Sequence, residues 1–238
     1  MSSVILRPLL AKRRCSIFYV QPREKSKGAS YLAIHQYLQD TAFAAKNLFA
    51  LATEEEHQLS ALSEGLQRTE GRLKIHQWDF QTSDLNDDFS DAYVMAAFVR
   101  AAKAGQEVER LQREVATLQA SVGTHQHAVQ AIAGAIFQIA KQGISLVHGG
   151  LGSVPAGRKM GSLALRDIVW QARNQSMHYE EGNPKKAVLD LFAILEKEHG
   201  PHFSLVAHAG QNRAKQVLDV LGWTNYELYL RDMQSLLP

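Results

Sequence analysis

Between residues 94 and 122 the chain reads VMAAFVRAAKAGQEVERLQREVATLQASV. Apolar or small residues recur there at Val94, Phe98, Ala101, Gly105, Val108, Leu111, Val115, Leu118 and Val122, at intervals of three and four. That spacing marks one face of a helix, and Glu107, Glu109, Arg110, Arg113 and Glu114 surround it with charge. The pattern predicts a heptad-like helix whose stripe packs on a partner helix, a role in packing and not in chemistry. Gly123-Thr124 interrupts the stripe, and Val129, Ile132, Ile136 and Ile139 resume it, so an antiparallel helical hairpin is expected.

Outward from this stretch the chain still reads mainly as helix. Residues 31–51 carry Leu32, Ile34, Tyr37, Leu38, Phe43, Leu48 and Phe49 on a helical period. Thr53-Glu54-Glu55-Glu56 fits a capping box, predicting a new helix from there to residue 70. Residues 72–80 alternate like a strand or extended connector, and 83–88 form an acidic turn. Downstream, Gly143, Gly149, Gly150, Gly152, Pro155, Gly157 and Gly161 predict a flexible loop over 143–162. A helix over 163–178 follows. Asn183-Pro184 opens another, with Leu189, Leu191, Phe192 and Leu195 as its apolar face. A helix over 210–221 comes next, and a capping box at Thr224 to Glu227 starts the last one. The expected fold is all-α: a helical bundle with a long hairpin. Residues 1–90 form an N-terminal extension and helical pair, and 91–238 form the main helical domain.

Composition narrows the function classes. Apolar content of 45% and charged content of 21% are ordinary for a soluble globular protein, and no apolar run reaches membrane-spanning length. A net charge of +2 means that any nucleic-acid surface must be local. A single cysteine, Cys15, leaves no internal disulfide. Arg7, Lys12, Arg13, Arg14 and Arg23, with no acid among the first 23 residues, read as a basic arm with 16–20 as a short strand or core anchor. The lack of a cleavage pattern disfavours an import signal. A cytoplasmic location is expected.

The segment with chemistry in it is LRDIVWQARNQSMHYEEG, residues 165–182. Leu165, Ile168, Val169 and Ala172 supply a buried stripe expected to continue to Met177. Arg173, Asn174 and His178 fall on the flank near the helix end. Arg173 and His178 lie about 140° apart on an ideal helix, so they converge only if the helix is irregular or a ligand fills the space between them. For an RNA substrate, His178 suits the base or acid of 2′-hydroxyl attack on a phosphodiester, and Arg173 suits a clamp on the charge of the transition state. Asn174 would orient His178 or donate to phosphate. The competing explanation is simpler: cations gather at helix C-termini because they complement the helix dipole.

Arg173-Asn174-Gln175-Ser176-Met177-His178 resembles the Arg-x4–6-His motif of the HEPN superfamily, with a polar residue directly after the arginine and the aromatic Tyr179 after the histidine. The resemblance covers residues 94–195. It implies a helical bundle that commonly dimerises, so that two copies of the motif face each other across a cleft. It further implies a metal-independent endoribonuclease, a toxin or defence effector with RNA as substrate and an antitoxin or regulatory partner. Other members keep the fold only for binding or assembly, and that is the alternative reading here.

Three other features are weighed beside it. The loop GSVPAGRKMGS, residues 152–162, approaches a phosphate-binding loop, but Arg158 stands where its lysine belongs and no alternating strands accompany it. Arg158, Lys159 and Arg166 are instead expected to lend positive charge to RNA binding beside the motif, with Tyr179. His125, His127, His199, His202 and His208 match no metal-ligand spacing, so no metal and no cofactor are expected. Trp78, Trp170 and Trp223 read as core or rim residues.

Overall fold

Two antiparallel helices, α1 (Lys27–Thr82) and α2 (Asp91–His148), form the long axis of the molecule. The computed structural model describes residues 27–82 and 91–237. The basic arm, Cys15 and the acidic turn at 83–88 lie outside the described residues. After α2 come a two-stranded antiparallel hairpin, β1 (Lys159–Met160) and β2 (Leu163–Ala164), then α3 (Leu165–His178), α4 (Lys186–His199), α5 (Ala214–Val220) and α6 (Tyr226–Leu236). The all-α expectation holds. No helix among the described residues is long and apolar enough to cross a membrane.

The hairpin differs from the expected one in its partners. Gly123-Thr124 does not break α2, and the capping box at Thr53 does not start a helix. Both hydroxyls bond backward inside continuous helices, Thr53 to the Phe49 carbonyl at 3.1 Å and Thr124 to the Ala120 carbonyl at 3.1 Å. A cap signal is silent when packing continues through it, and here His125 meets Glu55 across the two helices at 2.6 Å. The stretch 72–80 is helical for the same reason: Arg72 reaches Glu107 of α2 at 3.1 Å. Over 101–122 the stripe therefore faces α1. Two helices alone cover it incompletely, and Phe98 stays 69% exposed while Leu111 is fully buried.

At its other end the hairpin enters the core. Leu38, Ala45, Phe49 and Ala52 of α1 join Ile136, Phe137, Ala140 and Ile144 of α2 in one apolar cluster with α3 to α6. The core thus draws on both sides of residue 90. Gly143 fixes where α1 docks: a Cβ there would stand 2.5 Å from the Tyr37 ring, and Tyr37 donates to the Ile139 carbonyl at 2.7 Å. Burial pushes the Tyr37 phenol up from 10.0 to about 12, against a smaller opposing effect of the Gly143 backbone. Below pH 10 both folded and unfolded chains keep this phenol neutral, and its contribution is fully present. Between pH 10 and about 12 only the unfolded chain ionises, so stability falls, and the loss is complete above the folded value. Denaturant titrations across that window should show a steeper decline for wild type than for Tyr37→Phe.

The glycine-rich segment is also more ordered than expected. Helix α2 runs through the apolar residues Ile144 and Val147 to His148, whose Nε2 contacts the Leu236 carbonyl at 2.8 Å. Val154 and Leu163 are buried, which anchors the connection and its small hairpin onto the core.

Trp223 is fully buried, stacked on Phe137 with ring centroids 5.5 Å apart and edge-on to Tyr229 at 5.1 Å. Its Nε1 donates to Asp232 at 2.7 Å. The same carboxylate accepts from Arg158 Nε at 2.8 Å and from a terminal guanidinium nitrogen at 2.7 Å. Arg158 also donates to the Leu221 carbonyl at 2.6 Å, tying the glycine-rich segment to the α5–α6 turn. The cap of α6 sits one residue later than the box predicted: Asn225, not Thr224, accepts from the Leu228 amide. Trp78 is 65% exposed on α1, unlike the half-buried Trp170 and the core residue Trp223.

Candidate functional site

Helix α3 turns Leu165, Ile168, Val169 and Ala172 into the core, as its spacing demands. The stripe does not continue to Met177, which is 52% exposed; Gln175 and Ser176 are buried in its place. Helix α2 comes close here. A Cβ added to Gly134 would stand 3.3 Å from the Ser176 Cβ, so small groups are needed at the contact. Gln175 has its polar ends satisfied by one loop, donating to the Gln211 carbonyl at 2.8 Å and accepting from the Arg213 amide at 2.9 Å. A buried amide bonded at both ends pins the 204–213 segment to α3.

The end of α3 shapes the histidine. His178 leaves helical geometry at φ −128° and ψ 13°, and the chain tightens into the 3-10 turn Tyr179–Glu181. Gly182 then reverses direction at φ 67°, a left-handed conformation that glycine adopts without strain. The turn brings Glu181 back to His178, with Oε1 2.5 Å from Nδ1. A carboxylate only accepts, so Nδ1 carries the proton and Nε2 remains free to take one. Nothing lies within 4 Å of a Cβ at Gly182, so Gly182→Ala tests backbone conformation alone. It should lower stability by about 1 kcal/mol in chemical denaturation, with Gly182→Asn milder.

Beside this turn an open cavity of about 300 Å³ lies between the end of α3, the start of α4 and the 204–211 turn. Asn174, His178 and Tyr179 line one side, Val188 and Leu205 supply apolar wall, and Lys185 and His208 complete it. Tyr179 donates to Glu180 at 2.8 Å, a bond that holds its phenol above the usual value and therefore neutral. Helix α4 begins after Lys185, not at Asn183-Pro184, and no side chain caps it. Residues 183–185 are given over to the cavity rim instead.

Arg173 occupies the adjoining flank. Its Nε donates to the Gln138 side-chain oxygen of α2 at 2.6 Å, and a terminal nitrogen donates to the Asn174 Oδ1 at 3.4 Å. Asn174 in turn donates to Gln171 at 3.1 Å, so it touches both the Arg173 network and the cavity. Lys141 of α2 lies over the Trp170 ring at 4.6 Å from its centroid. Desolvation, and then the Arg173 charge, hold the Lys141 ammonium below its ordinary value. Among the described residues neither cation has a carboxylate partner. Two neighbouring cations without an acid form a place where an anion is favoured.

The structure therefore brings Asn174, His178 and Tyr179 to one cavity and sets Arg173 against α2. Arg158, Lys159 and Arg166 do not line that cavity. Arg158 is engaged by Asp232 at 39% side-chain exposure, Arg166 donates to the Val154 carbonyl at 2.6 Å, and Lys159 is exposed on β1. Glu181 was legible as the acid three residues after His178 on a tightening turn. Lys141 and His208 were not, because each is more than 25 residues from His178 and arrives only through helix packing. No protein-family model matches the chain, and no curated protein or solved structure matches it either.

Proposed function

We propose that the chain is a metal-independent endoribonuclease of HEPN type, with His178 as the proton-transfer residue at an RNA phosphodiester. The observation that carries this reading is the placement of His178 on an open cavity of mixed polar and apolar lining, with its Nδ1 held by Glu181. In this reaction the 2′-hydroxyl is an internal nucleophile, so the step needs an imidazole that removes its proton, cations that stabilise the phosphorane and a proton donor for the departing 5′-oxygen, and no metal is required. Asn174 and Tyr179 position the ribose-phosphate, and Arg173 with Lys141 offers a cationic track for the backbone on the α2 side. A homodimer would set two α3 ends across one groove and bring the partner copy's Arg173 flank toward the scissile bond. A toxin or defence role in the cytoplasm, restrained by a regulatory partner, fits such an activity.

A non-catalytic helical binding module is the alternative, and one observation favours it: Arg173 and His178 do not line the same cavity of a single chain. RNA cleavage in the presence of EDTA separates the two. The ribonuclease reading expects 2′,3′-cyclic phosphate and 5′-hydroxyl ends from wild type and their loss in His178→Ala. RNA that is bound but left intact by wild type would establish the binding module.

A further inference from the structure

We propose that His208 is the second proton-transfer group of this site, the general acid that protonates the departing 5′-oxygen. The inference rests on the ribonuclease reading and adds to it a complete acid–base pair within one chain. His208 comes from the turn between α4 and α5 and lines the same cavity of about 300 Å³ as His178. A cavity of that size is at the lower end of small-ligand pockets, so residues that line it share one bound ribose-phosphate.

The position of His208 is held. Its amide donates to the Ser204 carbonyl at 3.1 Å, and its carbonyl accepts from the Gln211 amide at 3.2 Å. Gln175 then fastens Gln211 and Arg213 to α3, one helical turn before Tyr179. The two imidazoles differ in their partners. His178 is bonded to Glu181, which orients it and leaves Nε2 as acceptor. The His208 ring makes no hydrogen bond among the described residues, so either ring nitrogen is available to deliver a proton. The other titratable groups on the cavity are Tyr179, Glu181 and Lys185. Lys185 adds a positive charge to the cavity lining, which favours an anionic phosphate there.

The step balances without metal or oxidant. His178 Nε2 takes the 2′-hydroxyl proton as the 2′-oxygen bonds to phosphorus. The phosphorus–5′-oxygen bond breaks, its electron pair leaves on the 5′-oxygen, and protonated His208 supplies the proton. The products are a 2′,3′-cyclic phosphate and a 5′-hydroxyl.

The decisive comparison uses the full chain in EDTA on one RNA oligonucleotide, either natural or with a 5′-bridging phosphorothiolate at the cleaved bond. A thiolate departs without a proton, so the substitution removes the need for the acid alone. His208→Ala and His208→Gln should lose about 10²- to 10⁴-fold on natural RNA yet stay within about tenfold of wild type on the thiolate substrate. They should also lose the alkaline limb of the pH–rate profile, with thermal unfolding unchanged. His178→Ala should be slow on both substrates. Natural RNA cleaved at the wild-type rate by His208→Ala, or equal losses on both substrates, overturns the role of His208 and leaves the ribonuclease reading standing. No cleavage by wild type overturns both.

Discussion

His178→Ala is expected to lower chelator-resistant RNA cleavage by about 10²- to 10⁴-fold while leaving the unfolding transition where it was. The two halves of that result have separate physical sources. The His178 side chain is 51% exposed, and its one bonded partner, Glu181, is 65% exposed, so removing the ring opens no cavity and strands no buried charge. Surface changes of this kind usually move stability by less than about 0.5 kcal/mol. The activity loss follows from chemistry. Without Nε2 the α3 side of the cavity loses its imidazole base: Tyr179 is held neutral by Glu180, Asn174 has no titratable atom, and the Glu181 side chain that remains is a carboxylate, ordinarily a weaker base than an imidazole. Single-turnover cleavage in EDTA, beside a thermal melt of the same preparation, measures both. Cleavage that survives the substitution would remove His178 from the mechanism, and a collapsed melt would make the residue structural.

Asp232→Ala should have the converse effect, lowering stability by about 3 kcal/mol. The Asp232 side chain is 8% exposed and accepts from both Trp223 and Arg158. Its loss leaves the Trp223 indole N–H buried without an acceptor and removes the ion pair that ties Arg158 to α6. Because Arg158 is 39% exposed, water recovers part of its solvation, which keeps the loss below that of a fully buried pair. Asp232→Asn preserves an acceptor for Trp223 and should lie between alanine and wild type. Chemical denaturation monitored by tryptophan fluorescence reads the change. A loss below about 0.5 kcal/mol would mean that the carboxylate is dispensable to the core. Together the two substitutions separate the site from the scaffold.

Arg158 also illustrates why a local reading of charge misleads. In sequence it is one of three cations near a histidine motif, and a role in RNA binding follows naturally. In space its guanidinium finds a buried carboxylate 74 residues away, and that pairing engages the residue in the scaffold. Lys141 shows the reverse case. Nothing in the periodic, apolar surroundings of 129–147 marks it as functional, yet the α2–α3 packing sets it beside Arg173 and Trp170. The helix breaks expected at Thr53 and Gly123 failed for a related reason. Cap and glycine preferences amount to about 1 kcal/mol each, and continuous packing between two long helices outweighs them.

Periodicity alone was enough to specify an all-α chain, the helical stripe at 94–122 and the α3 core face from Leu165 to Ala172, because each depends on residues three or four apart. The Arg173–His178 segment, its termination at Gly182 and the return of Glu181 are local in the same sense. Which helix covers the 94–122 stripe, which polar side chains are buried and which residues share the cavity depend on contacts spanning tens of residues. His208 reaches the His178 cavity because Gln175 pins its turn to α3, and Arg173 is turned from that cavity because Gln138 of α2 holds it. Short-range propensities set the elements; the geometry of their packing, which no local pattern encodes, set the site.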